Sequence, residues 1–251
     1  MKPPTVIELS GATITAADGS VVLEHVDWRV EEGDFWVIAG GHGSGKSALL
    51  ATVAGLNPAG GGEVRVFGEE LTPDNLLATG RRRVGLVFEA GGRLLRDLTV
   101  AENIALPVSY HENCSLGEAL DQVLPLIAAL QLEGHADASA GRIGRAWSQR
   151  IALARALAAA PELLLLDNPI AGLDQDHIRW WRRFLPELNN GHPASGGRPL
   201  TLVLATDDLR PWLNTGNRFA AVREQTFRCL GDRSQVEGGH AAELAEWLQA
   251  D

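Results

Sequence analysis

Residues 40–47 read GGHGSGKS, and this stretch decides the fold. It matches the pattern GxxxxGK[ST] and lies between the apolar run DFWVIAG (34–40) and the helically spaced SALLATVAGL (47–56). Glycines let successive backbone N–H groups surround phosphate oxygens, and the N-terminus of the following helix adds positive potential. A strand, a glycine-rich turn and a helix in this order therefore predict a phosphate-binding loop.

The loop contains Lys46, the only lysine of the chain besides Lys2. We expect Lys46 to reach the β- and γ-phosphates of a nucleoside triphosphate, and the Ser47 hydroxyl to coordinate Mg²⁺. A second Mg²⁺ ligand is predicted at Asp167, because four leucines at 163–166 deliver it to the end of a buried strand. The predicted nucleotide site consists of Gly40, Gly41, His42, Gly43, Ser44, Gly45, Lys46 and Ser47.

Strand-like and helix-like segments alternate around this loop. VIELSGATI (6–14) and VVLEHVDWRV (21–30) have the alternation of half-exposed strands, whereas ELLLLD (162–167) and LTLVLAT (200–206) are typical of buried ones. Helical patterns dominate from about residue 97 to 158, and HAAELAEWLQ (240–249) reads as a closing amphipathic helix. We therefore predict an α/β fold with a small N-terminal β region and a helical insertion.

Composition narrows the possible partners and compartment. The formal net charge of −10 argues against a nucleic-acid partner on electrostatic grounds. Cys114 and Cys229 are too few for a disulfide scaffold. The N-terminus lacks the apolar core of a signal peptide, and no stretch approaches the roughly 20 apolar residues of a membrane span. We expect a soluble cytosolic protein.

Four stretches in chain order resemble the ATP-binding subunits of ABC transporters. The phosphate loop of that family is matched by GGHGSGKS, and its Q-loop resembles VFEAGGRLLRDLTVAENIALP (87–107). The segment from the signature helix to the D-loop resembles QRIALARALAAAPELLLLDNPIAGLD (149–174). The switch strand resembles TLVLATDDLRPW (201–212). The similarity covers nearly the whole chain. A weaker similarity links LTVAENIALPVSYHE (98–112) to the Mla/MCE type, whose subunits energise lipid movement between membranes.

The resemblance implies a P-loop NTPase fold of ABC type in one nucleotide-binding domain. Its RecA-like core would comprise about 1–90 and 159–251, with an N-terminal antiparallel β region and an inserted α-helical subdomain at about 91–158. The implied cofactors are ATP and Mg²⁺. The implied partners are an integral-membrane permease and a second nucleotide-binding subunit, in a homodimer or a heterodimer, on the cytoplasmic face of the inner (plasma) membrane.

Three positions that act on the γ-phosphate or the attacking water differ from the family pattern. Glu89 aligns with the Q-loop glutamine, Asn168 with the catalytic glutamate and Asp207 with the switch histidine. An amide such as that of Asn168 cannot take a proton near neutral pH. Removing a positioned general base costs on the order of 10²–10⁴-fold in rate. We therefore expect MgATP binding with impaired or absent hydrolysis.

The predicted dimer interface also departs from the pattern. The signature LSGGQ aligns with IGRAW (143–147), which places Gly144 and Arg145 where the family has serine and glycine. The D-loop aspartate is kept as Asp174. No aromatic residue precedes Trp28, so the ring that stacks on adenine in the family is missing.

Two other interpretations stay open. In the first, the chain is an active ATPase with a rewired site, in which Glu89 or Asp207 acts as a relocated base and Arg145 supplies positive charge across the dimer. In the second, it is a soluble nucleotide-binding regulatory protein without a membrane partner.

Overall fold

The computed structural model describes residues 3–72, 74–75, 82–89 and 93–238. The chain divides into two compact units, one formed by 1–81 with 201–251 and the other by 82–200. The amphipathic helix predicted at 240–249 lies outside the described residues, as do residues 90–92 of the predicted Q-loop segment.

In chain order the strands are β1 (Thr5–Thr15), β2 (Val21–Glu31), β3 (Phe35–Gly40), β4 (Gly61–Val66), β5 (Glu69–Glu70), β6 (Val84–Val87), β7 (Leu163–Asp167), β8 (Thr201–Thr206), β9 (Arg218–Arg223) and β10 (Thr226–Gly231). The α-helices are α1 (Lys46–Val53), α2 (Val100–Glu112), α3 (Leu116–Ala129), α4 (Arg145–Ala158), α5 (Gln175–Asn189) and α6 (Arg233–Gly238). Short 3₁₀ helices occupy Glu133–His135, Ala140–Arg142, Pro193–Ser195 and Arg210–Trp212.

The first unit contains a mixed sheet in the strand order β5-β4-β1-β2-β10-β9-β3-β8. β1 pairs antiparallel with both β2 and β4, so the antiparallel β region predicted at the N-terminus is confirmed. β3 pairs parallel with β8 and β9. Residues 35–39 of β3 and all six residues of β8 are buried, which explains why these strands read as continuous apolar runs.

In the residues of the second unit that the structure describes, the parallel pair β6 and β7 is combined with four α-helices. All five residues of β7 are buried. Capping boxes start α2 at Thr99 with Glu102 and α3 at Ser115 with Glu118, since each hydroxyl and carboxylate satisfies a backbone N–H group of the first turn. Within the described ranges, no helix is both long enough and apolar enough to cross a bilayer.

Candidate nucleotide site

The phosphate loop connects β3, whose first five residues are buried, to the start of α1. Gly43 (φ 74°) and Gly45 (φ 104°) adopt the left-handed conformation that glycine takes without a steric cost. A Cβ atom at Gly40 would lie 2.6 Å from the Val222 carbonyl oxygen and 2.8 Å from Ser44 Oγ, so a side chain there has no room. Gly40, Gly43 and Gly45 are therefore required by the local backbone.

The N-terminus of α1 is left open to an anionic ligand. Its N-cap is Gly45, which provides no side chain, and its first turn contains no acidic residue. The backbone N–H groups of a first helical turn have no partner inside the helix, and the helix dipole makes this end positive. The loop and helix end therefore fit the phosphates of a nucleotide.

Lys46 is folded back into the loop and only 6% of its side chain is exposed. Its Nζ donates to the carbonyl oxygens of Gly40 (2.6 Å) and Gly41 (2.8 Å), and lies 3.3 Å from Ser44 Oγ. It also forms an ion pair of 3.0 Å with Oδ1 of Asp207. The ammonium group that would meet a phosphate is thus already paired with a carboxylate of the same chain.

The Asp207 contact follows from strand pairing. In the parallel pair of β3 and β8, Ala39 lies opposite Thr206. Gly40 and Asp207 are the next residues along these strands, which brings the Asp207 carboxylate to the loop. Sequence reasoning placed Asp207 at the switch position but did not predict its ion pair with Lys46, because the two residues are 161 positions apart.

The predicted Mg²⁺ ligands are placed on regular elements. Ser47 is the second residue of α1 and is exposed, and Asp167 is the last residue of β7 and is buried. Hydroxyl and carboxylate oxygens are the donors that Mg²⁺ prefers, and it is commonly held by one or two protein groups together with substrate phosphates. The residue types fit the ion, and their assignment to it stays a prediction.

Asn168, at the position of the family's glutamate, follows β7 directly and is buried. Its φ of 45° lies in the left-handed region. Asparagine adopts this region far more readily than glutamate, because its short polar side chain can form local hydrogen bonds there. The residue that replaces the expected base therefore suits the backbone conformation at this position.

Two further departures contact each other inside the second unit. Nη2 of Arg145, the first residue of α4, lies 3.8 Å from Oε1 of Glu89. The Arg145 guanidinium also covers Gly172, since a Cβ atom there would be 3.5 Å from its Cζ. Gly144, the N-cap of α4, makes no side-chain cap. The unusual cation and the unusual anion therefore offset each other's charge, although 47% and 38% of the two side chains remain exposed.

Asp174 caps the N-terminus of α5. Its Oδ1 accepts the backbone N–H groups of Asp176 and His177, both at 3.0 Å, and its Oδ2 lies 2.9 Å from Nδ1 of His177. These bonds, led by the backbone N–H of His177, hold the pKa of Asp174 below its usual value. The proposed place of Asp174 in a dimer interface remains a prediction.

Residues 23–171 match the model of the family described as ABC transporter. The chain belongs to this family. It is 33% identical to the sulfate/thiosulfate import ATP-binding protein CysA of Caulobacter vibrioides, with 85% of this chain and 61% of the relative covered. It is 32% identical to the spermidine/putrescine import ATP-binding protein PotA of Thermotoga maritima, with 87% and 56% covered. The chain thus spans about three fifths of the length of these relatives.

Solved structures agree with this assignment. The dimeric post-hydrolysis structure of the ATP-binding cassette MJ0796 bound to ADP and Pi superposes with a TM-score of 0.76 at 28% identity, covering 88% of this chain and 95% of that one. CbiO1 from Clostridium perfringens gives 0.79 at 19% identity over 98% and 96%, a likeness of fold alone. The predicted family and the predicted P-loop NTPase fold of ABC type are both confirmed.

Proposed function

We propose that this chain is the ATP-binding subunit of an ABC-type membrane transporter, and that it binds MgATP but hydrolyses it slowly or not at all. The observation that carries the proposal is a complete phosphate loop whose lysine is paired with Asp207. The loop keeps its glycine geometry, its open helix end and its buried lysine. The nucleotide phosphates carry more negative charge than the Asp207 carboxylate, so they can displace this carboxylate from Lys46.

The residues divide into those that hold the nucleotide and those that lack the chemistry for turnover. The loop N–H groups and Lys46 would bind the phosphates, while Ser47 and Asp167 would hold the Mg²⁺ that neutralises their charge. Asn168 has no group that takes a proton from water. Nucleotide then acts by stabilising the state to which it binds, rather than by turnover.

The partners of the proposed subunit are an integral-membrane permease and a second nucleotide-binding subunit, at the cytoplasmic face of the membrane. Support comes from relatives named as import ATP-binding proteins and from the dimeric cassette structure. The net charge of −10 argues against nucleic acid. A small imported solute agrees with the relatives' names, whereas a lipid substrate rests only on residues 98–112. The helical subdomain at about 91–158 and the interface role of Gly144, Arg145 and Asp174 belong to this proposal.

Relocated catalysis is the competing hypothesis, and the contacts disfavour it. Glu89 lies beside the Arg145 guanidinium, and Asp207 contacts the Lys46 ammonium. Each carboxylate is thus engaged by a cation of the same chain. Either residue would have to leave its partner before it could activate water well.

The test measures MgATP binding by calorimetry and phosphate release by the same purified chain. Lys46→Ala is the key variant, and Lys2→Ala, which removes the same charge outside the loop, is its control. We expect MgATP binding that requires Lys46 but not Lys2, and phosphate release no faster than that of Lys46→Ala. Release that depends on Lys46 and exceeds this background would establish a working ATPase, and absence of MgATP binding would refute the proposal.

A further inference from the structure

A cavity of about 560 Å³ lies in the second unit, between α4 and α5. Trp147 and Arg150 of α4 line it together with His177, Trp180 and Arg183 of α5. Its wall is mostly apolar, and its volume falls in the range of small-molecule sites, about 300–1,000 Å³. None of the phosphate-loop residues belongs to this cavity.

Arg150 is a buried cation inside this wall, with 5% of the residue exposed. Its Cζ lies 4.6 Å from the ring centre of Trp147 and 4.0 Å from that of Trp180, so the guanidinium is held between two indoles. Nη1 donates to the neutral amide of Gln131 at 3.3 Å. Nε has no hydrogen-bond partner in the described part of the chain. Cation–π contacts thus replace only part of the hydration that Arg150 loses.

The lining contains three arginines and one carboxylate, that of Asp176. Burial, reinforced by the nearby charge of Arg183 and partly opposed by that of Asp174, lowers the pKa of Arg150 to about 10. Arg179 pairs with Asp176 and Arg183 lies 3.9 Å from Glu187, whereas Arg150 has no carboxylate within ion-pair distance in the described part of the chain. A buried cation without a full counter-charge is costly, and an anion taken from solution would offset this cost.

His177 adds a second unsatisfied polar atom. Its Nδ1 faces the Asp174 carboxylate, which can only accept, so this nitrogen carries the hydrogen of the bond. Its Nε2 is buried and has no partner among the residues that the structure describes. In a neutral ring this nitrogen is an acceptor and cannot bind a carboxylate, so Nε of Arg150 is the donor of the lining left without a hydrogen bond over those same residues.

We propose that this cavity binds a small organic anion with a flat apolar body, of the aromatic carboxylate class. The carboxylate would accept hydrogen bonds from the arginines, and the aromatic body would lie against the apolar wall beside Trp147 and Trp180. Arginine suits this task because its planar guanidinium matches the geometry of a carboxylate. No phosphate-loop residue is part of the lining, so we expect the anion to bind in the absence of nucleotide.

Calorimetry with indole-3-acetate and its neutral isostere indole-3-acetamide tests the charge requirement. We expect indole-3-acetate to bind with a Kd below about 1 mM, and the amide to bind at least about tenfold more weakly, which corresponds to about 1.4 kcal/mol. Equal affinity for the two compounds, or no binding of the acid, would overturn the proposal.

Variants locate the binding. Arg183→Ala removes a cation of the lining, whereas Arg182→Ala removes its neighbour on the same helix, which is not part of the lining. We expect the first to weaken indole-3-acetate binding at least about threefold and the second to leave it unchanged. Equal losses in both would refute the site.

Two more variants complete the design. Arg150→Gln should abolish binding, and thermal unfolding shows whether the variant is folded. If it is not, the Arg183 and Arg182 pair decides. Lys46→Ala should bind indole-3-acetate like the unmodified chain. Loss of binding in Lys46→Ala would place the anion at the phosphate loop and overturn this inference without touching the proposed function.

Discussion

Replacing Asp207 by asparagine should tighten MgATP binding. The Asp207 carboxylate lies 3.0 Å from Nζ of Lys46, the only lysine of the phosphate loop. Nucleotide phosphates must compete with this carboxylate for the ammonium group and must also tolerate its negative charge. The Asp207→Asn variant would keep the size of the side chain and remove the charge, so both costs should fall.

The expected gain in MgATP affinity depends on how exposed the two side chains of the ion pair are. Lys46 is 6% exposed and Asp207 is 45% exposed, so the pair is worth more than a fully hydrated ion pair but much less than a buried one. We expect a gain of about 1–2 kcal/mol in binding free energy, which is about 5- to 30-fold in affinity. Salt should reduce the gain, because mobile ions screen the half-exposed carboxylate.

Calorimetric titration with MgATP at two salt concentrations measures this gain. Asp208→Asn is the matched control, since it removes the same charge one residue later, where the carboxylate pairs with Arg210 at 2.9 Å. Affinity that is unchanged or weaker in Asp207→Asn would refute the competition. An equal gain in both variants would show that general negative charge, and not the contact with Lys46, opposes nucleotide binding.

Three further predictions concern the other unusual residues and one surface pair. Asn168→Glu should have a free energy of unfolding about 1 kcal/mol lower than that of Asn168→Gly, because the φ of 45° at this position strains glutamate but not glycine. Equal midpoints of the two variants in urea unfolding would contradict this prediction. A double-mutant cycle of Arg145→Ala and Glu89→Ala, followed by urea unfolding, should give a coupling energy of about 0.2–1 kcal/mol, because both side chains are over a third exposed. A larger coupling energy would contradict this, since it would mean that water screens the pair less than its exposure indicates. The hydrogen bond from Arg83 lowers the pKa of Glu162 from its ordinary 4.5, so this pair stabilises the fold above that pH and loses its effect as pH falls through the lowered pKa. Arg83→Ala should therefore be less stable than the unmodified chain by under about 1 kcal/mol at pH 7 and equally stable in strong acid, and a gap that persists in acid would contradict the linkage.

Consecutive residues were enough to identify the phosphate loop and the family. The motif needs glycines, a lysine and a serine at fixed spacing, and a strand and a helix beside it, which are all local properties. Residues 35–39 and 163–167 are buried on both faces of their strands, so their apolar runs reported burial correctly. The two strands at the start of the chain were equally readable from their alternating pattern, and their antiparallel pairing was implied by the resemblance to the family.

The pairing of distant side chains was decided only by the tertiary structure. The register of β3 against β8 brings Asp207 to Lys46, and packing in the second unit sets Arg145 beside Glu89. The sequence offered Arg145 as a cation acting across the dimer and left the partners of Glu89 and Asp207 open, whereas the structure shows all three residues in ion pairs within the chain. Trp180 packs between Phe184 and the guanidinium of Arg150, a contact between α5 and α4 that only the tertiary structure shows. A sequence pattern reports the local backbone and the average burial of a residue, but the partner that neutralises its charge is fixed by strand register and helix packing, which bring together residues far apart in the chain.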